Sequence, residues 1–162
     1  MKTTRTILTI SFICFLNVGF NGQSKAQNLT KPQKSKIEKQ VDSIFTTMVK
    51  AAENLDYDKI SLGVDDSNNA GFIVNNSYFT KYDSLITILK ANLRSGIKQR
   101  ITFQHKKMTV LSESIVLLTA SGDSNVELNP GQSFTIKFLW SFVYVKMNND
   151  WKVIQSHQSR AN

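Results

Sequence analysis

The chain has 162 residues, with 20 lysines and arginines against 12 aspartates and glutamates, and a formal net charge of +8. This length corresponds to one ordinary domain that can bury a real core. Its basic residues are scattered among acidic ones, and Lys106-Lys107 is the only adjacent basic pair. Such a distribution is typical of a solvated surface and argues against a nucleic-acid groove.

The N-terminus has the pattern of a secretory signal. Met1 to Arg5 is basic, Ile7 to Phe20 is almost wholly apolar, and Ser24 and Ala26 are small residues where a signal peptidase reads. The apolar run is shorter than the roughly 20 residues of a membrane-spanning helix, which argues against a stable membrane anchor. We therefore predict that residues 1–26 are a signal peptide and that the domain is exported, to the periplasm or beyond.

Cleavage after Ala26 would remove Cys14, the only cysteine of the chain. The mature protein would then have no disulfide, no cysteine nucleophile and no thiolate metal site. We expect its core alone to hold it together.

A long amphipathic helix opens the predicted domain, which covers residues 35–160 after a flexible lead-in at 27–34. Ser35 and Glu38 have the spacing of a capping box, in which each side chain satisfies a free backbone amide. Apolar residues then recur at helical spacing as far as Leu55, which predicts one buried stripe.

Two shorter helices and one short strand follow. Asp56 to Asp58 can cap a helix over Lys59 to Leu62, and Gly71 to Val74 reads as an apolar strand. Thr80 is a suitable cap for a third helix that runs to Leu93.

From Ile97 onward the chain reads as four long strands. Ile115 to Gly122 is a continuous apolar run, which predicts a strand covered on both faces. Asn129 to Gln132 is a turn signal, and Ser133 to Ser159 forms a hairpin with its turn at Asn148 to Asp150. Helices followed by strands predict an α+β fold with helices on one face of a curved antiparallel sheet.

The final hairpin predicts a pocket. Side chains alternate across a strand, so one face of the hairpin is an aromatic wall that ends in a polar cluster. We predict that seven residues of this face line a ligand pocket: Phe138, Trp140, Phe142, Tyr144, Gln155, His157 and Ser159.

Three features of the chain point to a known family. They are the order of the elements, the end of the first helix near Leu55, and the closing pattern of Trp151, Val153, His157 and Ser159. The chain resembles the nuclear transport factor 2-like superfamily, and within it the small SnoaL-like and calmodulin-kinase-association-like bacterial domains. The resemblance implies a cone-shaped curved sheet wrapped around the long N-terminal helix, a central cavity, and often a homodimer formed through the sheet. Members include isomerases, dehydratases and cyclases as well as binding domains without catalysis.

One activity of that superfamily does not fit the residues. The ketosteroid-isomerase-like members use a tyrosine on the first helix and an aspartate after the first strand. The matching positions here are close to Phe45 and to Asn75 or Asn76, which cannot serve as acid and base.

Each remaining candidate has a functional and a structural reading. His157 could bind a polar group or act as a base, but no carboxylate is near it in sequence to orient its ring, which favours a structural role. His105 could share a face with His157, yet two histidines without a third ligand are not a metal motif.

Adjacent Asp65 and Asp66 are best read as a solvated turn. Three tyrosines are amphipathic and are read as residues at the rim of the pocket: Tyr57, Tyr78 and Tyr82.

These observations favour an exported, non-catalytic domain that binds a small apolar or amphipathic molecule in a mainly apolar cavity, with no cofactor or metal. One alternative is a SnoaL-like isomerase, dehydratase or cyclase that uses His157 as its base. Another is an exported protein-interaction module that uses the outer face of the sheet. The half-apolar outer face of the strand from Thr135 to Val145 predicts that a homodimer covers it.

Overall fold

The computed structural model describes residues 29–92, 96–128 and 131–160. The predicted signal at 1–26 with Cys14, the end of the third predicted helix at Leu93, and residues 129 and 130 of one predicted turn lie outside these ranges. Among the described residues, no helix is both long and apolar enough to cross a bilayer.

Three helices precede four long strands, and the predicted order of these elements is confirmed. The elements are α1 (Lys31–Glu53), α2 (Tyr57–Ser61), β1 (Phe72–Val74), β2 (Ser77–Phe79), α3 (Tyr82–Asn92), β3 (Gly96–Ser112), β4 (Ile115–Leu128), β5 (Gln132–Met147) and β6 (Asp150–Arg160). The short strand β2 was not predicted, because its three residues follow two asparagines and carry no alternating apolar pattern.

Helix α1 begins one turn earlier than its sequence pattern indicated. Thr30 is its N-cap: the Gln33 amide donates to Thr30 Oγ1 at 3.4 Å, and the Thr30 amide donates to Gln33 Oε1 at 2.8 Å. The capping box predicted at Ser35 and Glu38 is therefore wrong, and residues 31–34 belong to the helix rather than to a flexible lead-in. Pro32 in the first turn explains the difference, since its fixed φ angle and missing amide suit that position.

The buried stripe of α1 packs on the sheet and forms the centre of the core. Its buried members are Ile37, Val41, Phe45, Met48 and Ala51. The same core includes Ile60 of α2, Leu85 of α3 and Phe72 of β1. The helices thus pack on one face of the sheet, which is called the inner face below.

The six strands form one open sheet in the order β2-β1-β6-β5-β4-β3. All neighbours are antiparallel except β1 and β6, which are parallel. The α+β class and the sheet around a long helix are confirmed, and the sheet is mixed rather than wholly antiparallel.

Strand β4 is buried on one face only. Val116, Leu118 and Ala120 lie on the inner face and are buried, whereas Ile115 and Thr119 lie on the other face and are exposed. The prediction that this strand is covered on both faces is therefore wrong for the described chain. This second face, opposite the helices, is called the outer face below.

Candidate functional site

The predicted aromatic wall on β5 is present. Phe138, Trp140, Phe142 and Tyr144 all point to the inner face, and the Phe138 and Trp140 rings stack with centroids 3.9 Å apart. Three of the four are buried, while Trp140 is partly buried. These four residues of the predicted pocket therefore share a face.

A β-bulge separates the polar half of the predicted pocket from that wall. Val143 pairs with Gln155 and Tyr144 pairs with Val153, which leaves Ile154 as an extra residue in β6. A bulge of this kind reverses the alternation of the strand beyond it. Ser156 is consequently buried, whereas His157 is exposed.

The three polar residues predicted to complete the pocket thus lie on the outer face. Gln155, His157 and Ser159 share this face because they follow the bulge, and the prediction that they share a face with the aromatic wall is wrong. In their place, Gln158 reaches the inner face. A role of the three residues in ligand binding stays a prediction, now for a different surface.

A second bulge moves His105 in the same way. Phe103 pairs with Gly122 and His105 pairs with Ser121, so Gln104 is the extra residue of β3. His105 and His157 both border a shallow groove of about 640 Å³ on the outer face, with Leu139 and Ser141 between them. They lie on strands three apart, about 14 Å at the usual strand spacing, which is too far to share one ion. Among the described residues, no three potential ligands converge on a metal position.

The inner face encloses a small cavity of about 160 Å³ between α1, the two shorter helices and the sheet. Most of its lining is apolar and aromatic. The lining residues are Phe45, Met48, Val49, Ala52, Tyr57, Ile60, Tyr82, Leu89, Gln99, Trp140, Phe142, Tyr144 and Gln158. None of these carries a formal charge at neutral pH.

Two buried tyrosines supply hydroxyl groups to this cavity. Tyr144 is 0% exposed and its hydroxyl donates only to the Met48 sulfur, at 3.8 Å. Tyr82 is 6% exposed, and its hydroxyl makes no hydrogen bond within the described residues but keeps some exposure to solvent. The prediction that Tyr82 is a rim residue is wrong, although its spacing with Leu85 and Ile86 could have indicated burial.

Both phenols stay protonated at neutral pH. Burial raises the pKa of Tyr82 well above its ordinary value. Burial also raises the pKa of Tyr144, and the neighbouring Tyr82 phenol and Asp42 carboxylate add to the effect. Each hydroxyl is therefore a neutral hydrogen-bond donor, not a base.

The side-chain amide of Gln99 makes hydrogen bonds within the protein. Its Nε2 donates to the Ala52 carbonyl at 2.6 Å, and its Oε1 accepts from Ser124 at 3.1 Å. This connection joins β3 and β4 to the last turn of α1. Nothing in the sequence around Gln99 distinguishes it as a cavity residue.

The loop before β1 holds Tyr82 in place. Asp66 accepts a hydrogen bond from the Tyr82 amide at 3.0 Å, so this carboxylate, from the polar turn, caps the start of α3. Asp65 accepts from the Ser67 hydroxyl and amide, which hold the pKa of its carboxyl below the ordinary value. Neither acid lines the cavity.

The positions that correspond to the ketosteroid-isomerase acid and base have structural roles. Phe45 packs its ring against Phe103 and Phe142, with centroids 5.5 and 5.9 Å away. Asn75 adopts a positive φ angle in the β1–β2 turn. Its backbone N–H donates to the Gln158 carbonyl, and its side-chain Oδ1 accepts from the Arg160 backbone N–H, so it is bonded to β6.

Comparison with known proteins agrees with this architecture. A family model described as a SnoaL-like domain matches residues 41–162. No curated protein sequence gives a match.

Several solved structures have the same fold. A nuclear transport factor 2-like superfamily protein from Salmonella enterica serovar Typhimurium superposes with a TM-score of 0.69 at 12% identity, over 80% of this chain and 94% of the other. A proposed scytalone dehydratase from Novosphingobium aromaticivorans gives 0.72 at 7% identity, over 82% and 89%. The hexachlorocyclohexane dehydrochlorinase LinA-type3 from Novosphingobium barchaimii gives 0.66 at 10% identity, over 82% and 92%.

Identities this low show a shared fold and do not transfer an activity. The family match, however, covers most of the chain, and the cavity enclosed by α1 and the curved sheet has the expected position. The chain belongs to the SnoaL-like domain family and has the nuclear transport factor 2-like fold.

Proposed function

We propose that this domain binds one small, neutral, mainly apolar molecule in its inner cavity and does not transform it. The observation that carries the proposal is the cavity lining, which combines apolar and aromatic side chains with a few neutral polar groups. That composition is characteristic of small-molecule sites.

The cavity volume bounds the size of the ligand. Apolar cavities of about 150 Å³ in other proteins hold benzene. The inner cavity, at about 160 Å³, therefore suits a molecule with a single six-membered ring. Trp140 and Phe142 offer ring faces on which such a molecule could pack.

The chemistry of the lining supports binding over catalysis. General acid–base catalysis at neutral pH uses a group whose pKa lies near 7. The described lining contains phenols and amides, and burial moves the pKa of Tyr82 and Tyr144 further from neutrality. The alternative with His157 as base is not favoured, because the sheet lies between that side chain and the cavity.

The N-terminal sequence supports export of this binding domain. A basic start, an apolar stretch and small residues at Ser24 and Ala26 are typical of a secretory signal. A binding domain outside the cytoplasm would meet ligands from the medium or the envelope.

Toluene provides the test, because it matches the cavity in size and has no hydrogen-bonding group. We expect toluene to shift the NMR signal of the Met48 methyl group in a saturable way, because Met48 lines the cavity. Val49→Phe should abolish this shift by filling the cavity. Thr46→Phe, an exposed position on the same helix, is the matched control and should retain it. Absence of saturable binding in the folded wild-type domain would refute the proposal.

A further inference from the structure

We infer that the inner cavity selects a neutral ring compound with a carbonyl oxygen, held by the hydroxyls of Tyr82 and Tyr144. This inference rests on the proposed function and adds the chemical class of the ligand. Three observations lead to it: the hydrogen bonds that the two phenols lack, the internal use of Gln99, and the uncharged lining.

The two phenols have strong donor capacity that the protein leaves largely unused. The Tyr82 hydroxyl has no partner among the described residues, and the Tyr144 hydroxyl donates to a thioether sulfur 3.8 Å away. A thioether is a weak acceptor, so a carbonyl oxygen would be a better partner for the same proton. No fully buried side-chain polar atom of the described residues lacks a partner, so the Tyr82 hydroxyl keeps some exposure and a ligand oxygen would replace water there.

Both tyrosine side chains line the same small cavity. Tyr82 comes from α3 and Tyr144 from β5, and both side chains line the inner cavity. A carbonyl oxygen has two lone pairs and can accept from two donors at once. A single acceptor atom could thus satisfy both phenols.

The other side chains that line the cavity favour a neutral ligand over an anion. Gln99 already uses both its amide nitrogen and its oxygen on Ala52 and Ser124. The described lining has no lysine, arginine or histidine that could balance an anion. A carboxylate would therefore be buried without a counter-charge, which is strongly unfavourable.

The test compares cyclohexanone with toluene, which has the same number of non-hydrogen atoms but no acceptor. Affinities are measured from the Met48 methyl shift in the wild-type domain and in the Y82F, Y144F and double variants. We expect each single variant to weaken cyclohexanone binding about 2- to 10-fold, since one hydrogen bond is removed. Toluene binding should weaken less than cyclohexanone binding in the same variants, because the Tyr-to-Phe change removes no hydrogen bond to toluene; the ratio of the two affinities is the readout.

The outcomes separate the two proposals. Unchanged cyclohexanone affinity in the double variant, with toluene still bound, would overturn the carbonyl inference and leave the binding function standing. The carbonyl inference would likewise be overturned if phenol bound more tightly than cyclohexanone and lost nothing in the double variant, since recognition would then lie at Gln158. Failure of both toluene and cyclohexanone to bind the folded wild-type domain would remove the proposed function itself.

Discussion

Tyr144 shows how one residue can belong to both the core and the cavity. Its ring is fully buried and lies near Phe142, with ring centroids 6.4 Å apart, whereas its hydroxyl donates to the Met48 sulfur. Ser159 and His157, the polar residues predicted to line the same pocket, cannot be its partners, since both lie on the outer face beyond the β6 bulge. A residue's burial could be predicted here, but its partner depended on strand register.

The buried phenols should make stability fall in alkali. Burial raises the pKa of Tyr82 and Tyr144, so above about pH 10 the unfolded chain loses protons that the folded domain keeps. The free energy of unfolding should therefore decline with rising pH, by about 1.4 kcal/mol per pH unit for each tyrosine. Urea denaturation of the wild-type domain at a series of pH values above about 9 measures this slope.

A pair of variants separates the contribution of the two tyrosines to this pH dependence from the contribution of the lysines, which also titrate in alkali. The Y82F/Y144F double variant should show a clearly shallower decline above about pH 10. Y78F is the matched control, because Tyr78 is 60% exposed, and its slope should equal that of the wild type. Equal slopes in the wild-type and double-variant proteins would show that the two phenols ionise normally in the folded state.

At the scale of elements, the two strands of the final hairpin differ in how well their faces could be predicted. Strand β5 alternates without interruption from Phe138 to Tyr144, so simple alternation assigns every side chain correctly. Strand β6 contains the bulge at Ile154, and nothing in its sequence marks that position, which lacks the glycine of some bulges. The aromatic half of the pocket was thus predictable and the polar half was not.

The start of α1 offers a direct comparison of two capping candidates. Thr30→Ala should lower the free energy of unfolding by about 1 kcal/mol, because it removes the side chain that accepts from the Gln33 amide. Ser35→Ala changes an exposed position inside the helix and should be neutral or stabilising by a few tenths of a kcal/mol. Urea denaturation of the two variants measures both effects. The reverse order would place the helix start at Ser35, as the sequence pattern indicated.

At the scale of the whole molecule, the fold class could be predicted from the order of the helices and strands along the sequence. Long local patterns identified α1 and the four long strands. The parallel pairing of β1 with β6 joins Phe72 to Ser156, residues far apart in the sequence, and no local pattern reports such a contact. The sheet order therefore needed the structure, whereas the α+β class did not.

The outer face carries the remaining prediction, that of a homodimer. Leu139 is 51% exposed there, and Leu117, Val143 and Val145 of the same face are half-buried, which makes an apolar stripe along β4 and β5. Asp123 and Lys137 form a cross-strand pair of opposite charge beside it. A two-fold axis through this face would bury the stripe of both copies and could bring opposite charges together.

Leu139→Asp should therefore convert a dimer into a monomer, since each interface would gain two buried carboxylates. Light scattering coupled to size exclusion, over a range of protein concentrations, measures the mass of each species. Leu62→Asp is the matched control, because Leu62 is 72% exposed at the end of α2, and this variant should stay dimeric. A wild-type domain that remains monomeric at high concentration would exclude the self-association of this face. A dimer that survives Leu139→Asp would place the interface elsewhere and leave the outer groove, with His105 and His157, open to another partner.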